Sequence, residues 1–139
     1  MRIFLDANIL VSVLNKEYPL YQYSSKLLSL CGYKNFIVCT SPVCLAIAFY
    51  FAEKKHGSQV ARSKIGILLE HITVTDCGAT EARLAIQNKK AQDFEDALQY
   101  YSALHAQCKC IVTTDTDDFF YADKMEIIEP DQFLMKYVK

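Results

Sequence analysis

The chain of 139 residues carries 15 Lys and Arg against 16 Asp and Glu, a formal net charge of −1, with 52% hydrophobic residues and only four Gly and three Pro. That length suits one domain spanning 1–139 with a folded surface of about 7,400 Å², and the composition excludes a disordered chain, a collagen-like chain and a nucleic-acid binder recognisable by bulk basicity. No apolar run approaches the roughly 20 residues of a membrane helix, and the start MRIFLDANIL has an Asp inside its apolar stretch instead of a secretory leader, so a soluble cytoplasmic protein is expected.

Arg2 to Leu5 reads as a short buried strand, broken by Asp6-Ala-Asn8, with a helix starting over Ile9 to Leu14. Pro19 opens a second helical stretch with Leu20, Tyr23, Ser24, Leu27, Leu28 and Cys31 at helical spacing, and Gly32 is placed to end it. Phe36 to Cys39 is a second strand, apolar on both faces. Ser41-Pro42 gives a cap and a proline at the first helical position, and the helix that follows is apolar nearly all round to Phe51. A helix over Ser58 to His71 follows Gly57. Ile72 to Val74 is a short strand, Thr80 to Lys90 a helix, and Asp93 to Gln107 a stronger one. Cys110 to Val112 is a buried strand ending at Thr113-Thr114-Asp115. Glu126 to Ile128 is the last strand, and Pro130 opens a C-terminal helix with Phe133, Leu134 and Tyr137 on one face. Short strands without clean polar alternation, alternating with helices, predict a three-layer α/β/α sandwich with a mainly parallel sheet. Aromatic residues at helical spacing, among them Phe49, Tyr50, Phe51, Tyr100 and Tyr101, are expected in the core.

The six cysteines, at 31, 39, 44, 77, 108 and 110, form no Cys-x-x-Cys pair. They read as reduced thiols, mostly buried as small hydrophobes. His56, His71 and His105 have no partners at metal spacing and read as surface or hydrogen-bonded side chains.

The near-zero net charge hides an asymmetry. Residues 1–70 hold eight Lys and Arg with four Asp and Glu, whereas residues 71–139 hold seven with twelve. Several acids fall where an open α/β sheet binds ligands, beyond the carboxyl ends of its strands. Asp6 follows the first strand, Asp115, Asp117 and Asp118 follow the strand 110–112, and Asp93 and Asp96 start the preceding helix. Gathered carboxylates repel one another. A hard divalent cation, Mg²⁺ or Mn²⁺, relieves that repulsion and equips a site for phosphoryl chemistry. Plainer readings stand beside this one. Asp6 and Asp93 suit helix caps, Asp117 suits a surface turn, and the Thr113 hydroxyl suits the end of a strand.

These residues resemble the PIN domain family, a small metal-dependent nuclease fold. The carrying segments are Ile3-Phe-Leu-Asp6-Ala-Asn8-Ile-Leu10, Asp93-Phe-Glu-Asp96-Ala-Leu98, Ile111-Val-Thr-Thr-Asp115-Thr-Asp-Asp118-Phe119 and Ile127-Ile-Glu-Pro130-Asp-Gln-Phe-Leu134, in that order. The resemblance implies Mg²⁺- or Mn²⁺-dependent endoribonuclease activity on RNA phosphodiesters. Asp6, Asp96 and Asp115 would be metal-binding and catalytic carboxylates, with Asp93, Asp118 and Thr113 as accessory residues. It also implies a toxin of a toxin–antitoxin pair, with a cognate antitoxin protein as partner and self-association into a homo-oligomer. One departure stands out. Ile47 occupies a position where the family often has an acid, sometimes Asn. No acid occurs from Ser41 to Ala52, and Glu53 lies about 240° further round the helix. A degenerate member acting as an RNA- or protein-binding module is the alternative. A receiver domain would need an acidic pair at the first strand, and an Asp-x-Asp phosphatase would need an acid where Asn8 stands. RNA-contacting residues stay unassigned, with Arg2, Lys54, Lys55, Arg62, Lys64, Lys89 and Lys90 as candidates for a basic rim.

Overall fold

The computed structural model describes residues 1–138, so only the last residue of the expected 1–139 unit lies outside the described residues. Five strands form one sheet: β1 (Arg2–Leu5), β2 (Ile37–Thr40), β3 (Thr73–Val74), β4 (Cys110–Val112) and β5 (Glu126–Ile128). Their order is β3-β2-β1-β4-β5, and every neighbouring pair is parallel. Parallel pairing requires crossovers, supplied by α1 (Ala7–Leu14), α2 (Tyr21–Ser29), α3 (Pro42–His56), α4 (Ser58–Leu69), α5 (Ala79–Gln87) and α6 (Phe94–His105), while α7 (Pro130–Tyr137) follows the last strand. The helices flank the sheet, and the expected α/β sandwich is what forms.

The centre of the sheet is its driest part. Phe4 pairs with Cys39 on one side and Ile111 on the other. Ile3, Phe4, Leu5, Ile111 and Val112 are all fully buried, each large side chain contributing about 1.5–3 kcal/mol of hydrophobic stabilisation. All six cysteines are free thiols, and Cys39, Cys44, Cys108 and Cys110 are buried, as their composition suggested.

Helix starts follow local chemistry. Ser41 caps α3 by accepting from the Cys44 N–H at 3.1 Å, with Pro42 at the first turn. Asp93 caps α6 by accepting from the Asp96 N–H at 3.2 Å. Asp6 caps α1 through the Ala7 N–H at 2.8 Å. Each satisfies an amide that has no partner inside its helix.

The structure departs from the sequence reading in several places. Strand β2 runs one residue later than expected and includes Thr40, whose hydroxyl donates to the Leu5 carbonyl at 2.9 Å. The second helix ends at Ser29 and continues as one tight 3₁₀ turn over Leu30–Gly32. Helix α5 stops at Gln87 instead of Lys90, because the Asn88 side chain accepts from the Lys90 N–H at 3.1 Å and turns the chain. A 3₁₀ turn over Thr116–Phe119, unanticipated, plants Phe119 in the core. Tyr50 and Phe51 are corrections: they are 54% and 43% exposed. Helix α3 is apolar on all sides, so packing one face leaves the other outside. There the two rings meet edge-on at 5.2 Å, and Lys54 lies over Tyr50.

From β1 the chain moves outward through β2 to β3, while β4 and β5 lie on β1's other side. The order therefore reverses between β1 and β4. Beyond the carboxyl ends of those two strands lies the crevice in which such sheets bind ligands.

Candidate active site

Asp6 leaves β1 at this reversal point and is nearly buried, at 6% exposure. Its N–H extends the sheet by donating to the Val112 carbonyl at 3.1 Å. Its carboxylate is held at both oxygens. Oδ1 accepts from the Ala7 N–H, and Oδ2 accepts from the Thr113 hydroxyl at 2.8 Å. Thr113 is itself fully buried and accepts from the Asp115 N–H at 3.0 Å. Asn8 joins these parts: its Nδ2 donates to Asp115 Oδ2 at 3.0 Å and to Thr113 Oγ1 at 3.2 Å, and reaches Asp6 Oδ2 at 3.5 Å. One amide thus ties the end of β1 to the loop after β4.

Asp96 comes from the first turn of α6 and lines the same cavity as Asp6 and Asp115, a space of about 530 Å³. Burial pushes its carboxyl up to about 7, and the negative charges of Asp93, Asp6, Asp118 and Asp115 push in the same direction. Burial also raises Asp6, against the lowering effect of the Thr113 and Ala7 hydrogen bonds, while Asp115 and Asp118 add to the rise. Asp93, Asp96, Asp117 and Asp118 line a second, adjoining cleft with Gln92 and Phe120. Asp93 is both the cap foreseen for it and a neighbour of Asp96. Asp117 is exposed, as a surface-turn residue should be, yet it belongs to this acidic cleft.

The structure thus brings Asp6, Asp115, Thr113 and Asn8 into one bonded network and sets Asp96 across the cavity. In the sequence Asn8 stands out only as part of a motif. Gln99 carries no signal of a role there either, although it stands three residues after Asp96, on the same side of the helix. It is buried, lines the cavity and is hydrogen-bonded to Ser41. A lone Gln among apolar residues on a buried helix is the one clue to it. Glu17 and Glu95 also line the cavity; neither falls in a motif position. Ile47 lines it as well, together with Val11, Leu20 and Phe51. The position aligned with the family's acid does face the site, with an apolar side chain.

The basic rim is only partly where the sequence placed it. Arg2 sits at the opposite end of β1, where its Nε donates to the Ala106 carbonyl at 2.8 Å. Lys55 donates to the Asn15 carbonyl at 2.7 Å. Lys89 and Lys90 line a different cleft. His105 is hydrogen-bonded to Glu81, away from the cavity.

Among the described residues no three Asp, Glu, His or Cys side chains converge tightly enough to hold an ion by themselves. The donors are nevertheless all hard carboxylate oxygens. A cation such as Mg²⁺ needs only one or two of these, with water and substrate oxygens completing its shell. Asp96 supplies the direct argument for fit: it faces four like charges, and no positive side chain is among the groups that shift it.

Comparison with known proteins places the fold. A family model for the PIN domain matches residues 2–117. Ribonuclease VapC1 of Aquifex aeolicus (strain VF5) is 24% identical over 140 residues, covering 98% of this chain and 95% of that protein. VapBC2 from Rickettsia felis, solved bound to a DNA fragment from its promoter, has a similar fold, with a TM-score of 0.68 at 24% identity over 91% of this chain and 97% of that one. VapC20 of Mycobacterium tuberculosis, described as a sarcin-ricin loop cleaving toxin, matches with a TM-score of 0.69 at 19% identity over 89% and 97% of the two chains. Because the matched stretch runs through Asp6, Asp96 and Asp115 on a parallel sheet of this order, the chain belongs to the PIN domain family.

Proposed function

We propose that the protein is a metal-dependent endoribonuclease and the toxin of a toxin–antitoxin pair, with Asp6, Asp96 and Asp115 as its metal-binding carboxylates. The observation that carries this reading is the uncompensated acidic cavity at the sheet's reversal point, kept although it raises the cost of ionising Asp6 and Asp96. Asp6, Asp115 and Asp96 would together hold Mg²⁺ or Mn²⁺, with Asp96 facing the other two across the cavity. The cation supplies charge neutralisation at phosphoryl oxygens and Lewis acidity toward water. The chain's own part is orientation. Thr113 and Ala7 hold the Asp6 carboxylate in one pose, and Asn8 holds Asp115 to it. Gln99, fixed by Ser41, sets a buried polar group at the cavity wall. Asp93 and Asp118 keep the local potential negative and so favour a cation.

Named relatives and neighbours support the partner. VapBC and FitAB complexes are among the proteins with this fold, and we infer that a small antitoxin protein inhibits this chain too. We infer self-association as well, since Val60, Ile67 and Leu69 of α4 stand 44–58% exposed. We infer cytoplasmic residence from the proposed intracellular RNA substrate; no helix among the described residues is long and apolar enough to cross a membrane.

The test is cleavage of an RNA panel with Mg²⁺ or Mn²⁺, comparing wild type, Asp96→Asn and an EDTA control. Cleavage by wild type alone, abolished by EDTA, supports the reading. Cleavage that survives Asp96→Asn overturns the assignment of the site. Ile47 favours a second reading, a degenerate PIN domain that binds RNA or protein without cutting. No cleavage across the panel would select it.

A further inference from the structure

A third cleft, of about 530 Å³, lies one turn along α6 from the acidic cavity. Tyr100 in its wall stands four residues after Asp96, on the same side of the helix and about 6 Å along its axis. Lys89, Lys90 and Lys124 line it, with Asp123 as the opposing charge. The ion pairs among the described residues, Glu81–His105 and Glu126–Lys136, involve none of these lysines. Residues 71–139 carry only seven cations in all, and three of them gather here, beside the most acidic surface of the chain.

The walls of this cleft are aromatic. Tyr100 meets Tyr101 and Tyr121 edge-on at 5.0 and 5.6 Å. Asn88 donates to the Tyr101 hydroxyl at 3.2 Å. The Tyr121 hydroxyl is buried without a hydrogen-bond partner, a polar group that costs free energy unless something pairs with it. Phe120 links the two clefts: it lines the acidic one, contacts Tyr121 edge-on at 5.6 Å and is 63% exposed. A chain leaving the acidic cavity would pass an exposed ring before reaching three unpaired ammonium groups.

We propose that this Lys89–Lys90–Lys124 cleft, reached over Phe120, is a binding subsite for the single-stranded RNA that flanks the scissile phosphate. The inference rests on the ribonuclease reading above. Its chemistry is that of single-strand recognition, in which ammonium groups follow phosphates while a base stacks on an aromatic face. Placed next to carboxylates that repel RNA, the three lysines restore local attraction. An acidic protein segment would use the lysines but has no base to set against Phe120.

The test is binding of a short, labelled, unstructured RNA to Asp96→Asn protein in Mg²⁺, read by fluorescence anisotropy over a salt series. Substituting Lys89, Lys90 and Lys124 together by Ala should weaken binding tenfold or more. It should also make the slope of log K against log salt shallower by about 2, at about 0.7 for each phosphate no longer neutralised. Phe120→Ala should weaken binding about tenfold, with Phe120→Tyr restoring it. Arg62→Glu with Lys64→Glu on α4 is the charge control. Lysine variants that bind no more weakly than this control overturn the subsite, as does polyglutamate competing as well as unlabelled RNA. If wild type cleaves RNA while the lysine variants bind normally, only the subsite falls. If the chain neither cleaves nor binds RNA, both readings fall.

Discussion

Acidic side chains meet two different fates in this molecule. Glu81 and Glu126, on or beside the outer elements, are answered by neighbours. Glu81 accepts from the Gly78 N–H at 2.7 Å and bonds His105, and both hold its carboxyl below the usual range. Glu126, against the effect of its own burial, is held low by Lys136 and Tyr137. Asp6 and Asp96 are shifted the other way, by burial and by one another's neighbours. The first pair of acids contributes to holding the fold together. The second pair weakens it near neutral pH, so the cavity keeps its carboxylates at a cost in stability that the proposed cation would offset.

The largest effect should come from the bridge inside the cavity. Asn8→Ala removes the amide that ties Asp115 to Asp6 and Thr113, and should lower RNA cleavage about 10- to 100-fold, the usual cost of losing a group that orients a ligand. Steady-state kinetics in Mg²⁺ read this directly, and unchanged rates would show that the network is decorative. A smaller effect tests the energetic contrast. An acid whose folded pKa is raised contributes stability below its unfolded value, near 3.8, and loses it as pH rises through the folded value, about 7 for Asp96. Metal-free protein should therefore melt at lower temperature at pH 8 than at pH 5.5. Asp96→Asn should flatten that slope and be about 1–2 kcal/mol more stable at pH 8, allowing for solvent screening of a partly exposed group. Mg²⁺ should raise the pH 8 melting temperature of wild type more than that of the variant. The smallest effect lies on the other side of the comparison. Glu81→Ala should destabilise by about 1 kcal/mol at pH 7, the usual worth of a lost cap. For an acid whose folded pKa is lowered, the stabilisation is present above about 4.5 and disappears as pH falls through the folded value. Urea melts at pH 7 and pH 3 should thus show the cost of Glu81→Ala shrinking with acid.

Much of this arrangement is legible in the sequence. Buried strands such as Ile3-Phe-Leu5 and Cys110-Ile-Val112 are apolar on both faces, a pattern with few alternatives once helices lie between them. Caps at Ser41 and Asp93 follow from side-chain chemistry within three residues. The acids at strand ends are legible because strand order places such ends together. What stays hidden depends on neighbours distant in sequence. Asn8 meets Asp115 across 107 positions, and no local pattern encodes that. Tyr50 and Phe51 read as core because an all-apolar helix does not say which side faces out. The Lys89–Lys90 pair reads as a candidate for the basic rim, but the Lys124 and tyrosines that share its cleft come from distant segments and are not legible locally.

The cap on α1 has a practical consequence for anyone wanting a silent version of this protein. Asp6 starts the helix and carries the charge of the cavity with the same carboxylate. Removing it with alanine would confound loss of chemistry with loss of folding. Asparagine caps helix starts about as well as aspartate, and the Asp and Asn codons differ by a single base. One transition in the gene therefore removes the charge proposed to hold the cation while keeping the helix start, although the new amide sets an NH2 where Thr113 and Asn8 now donate, so the network around it must readjust.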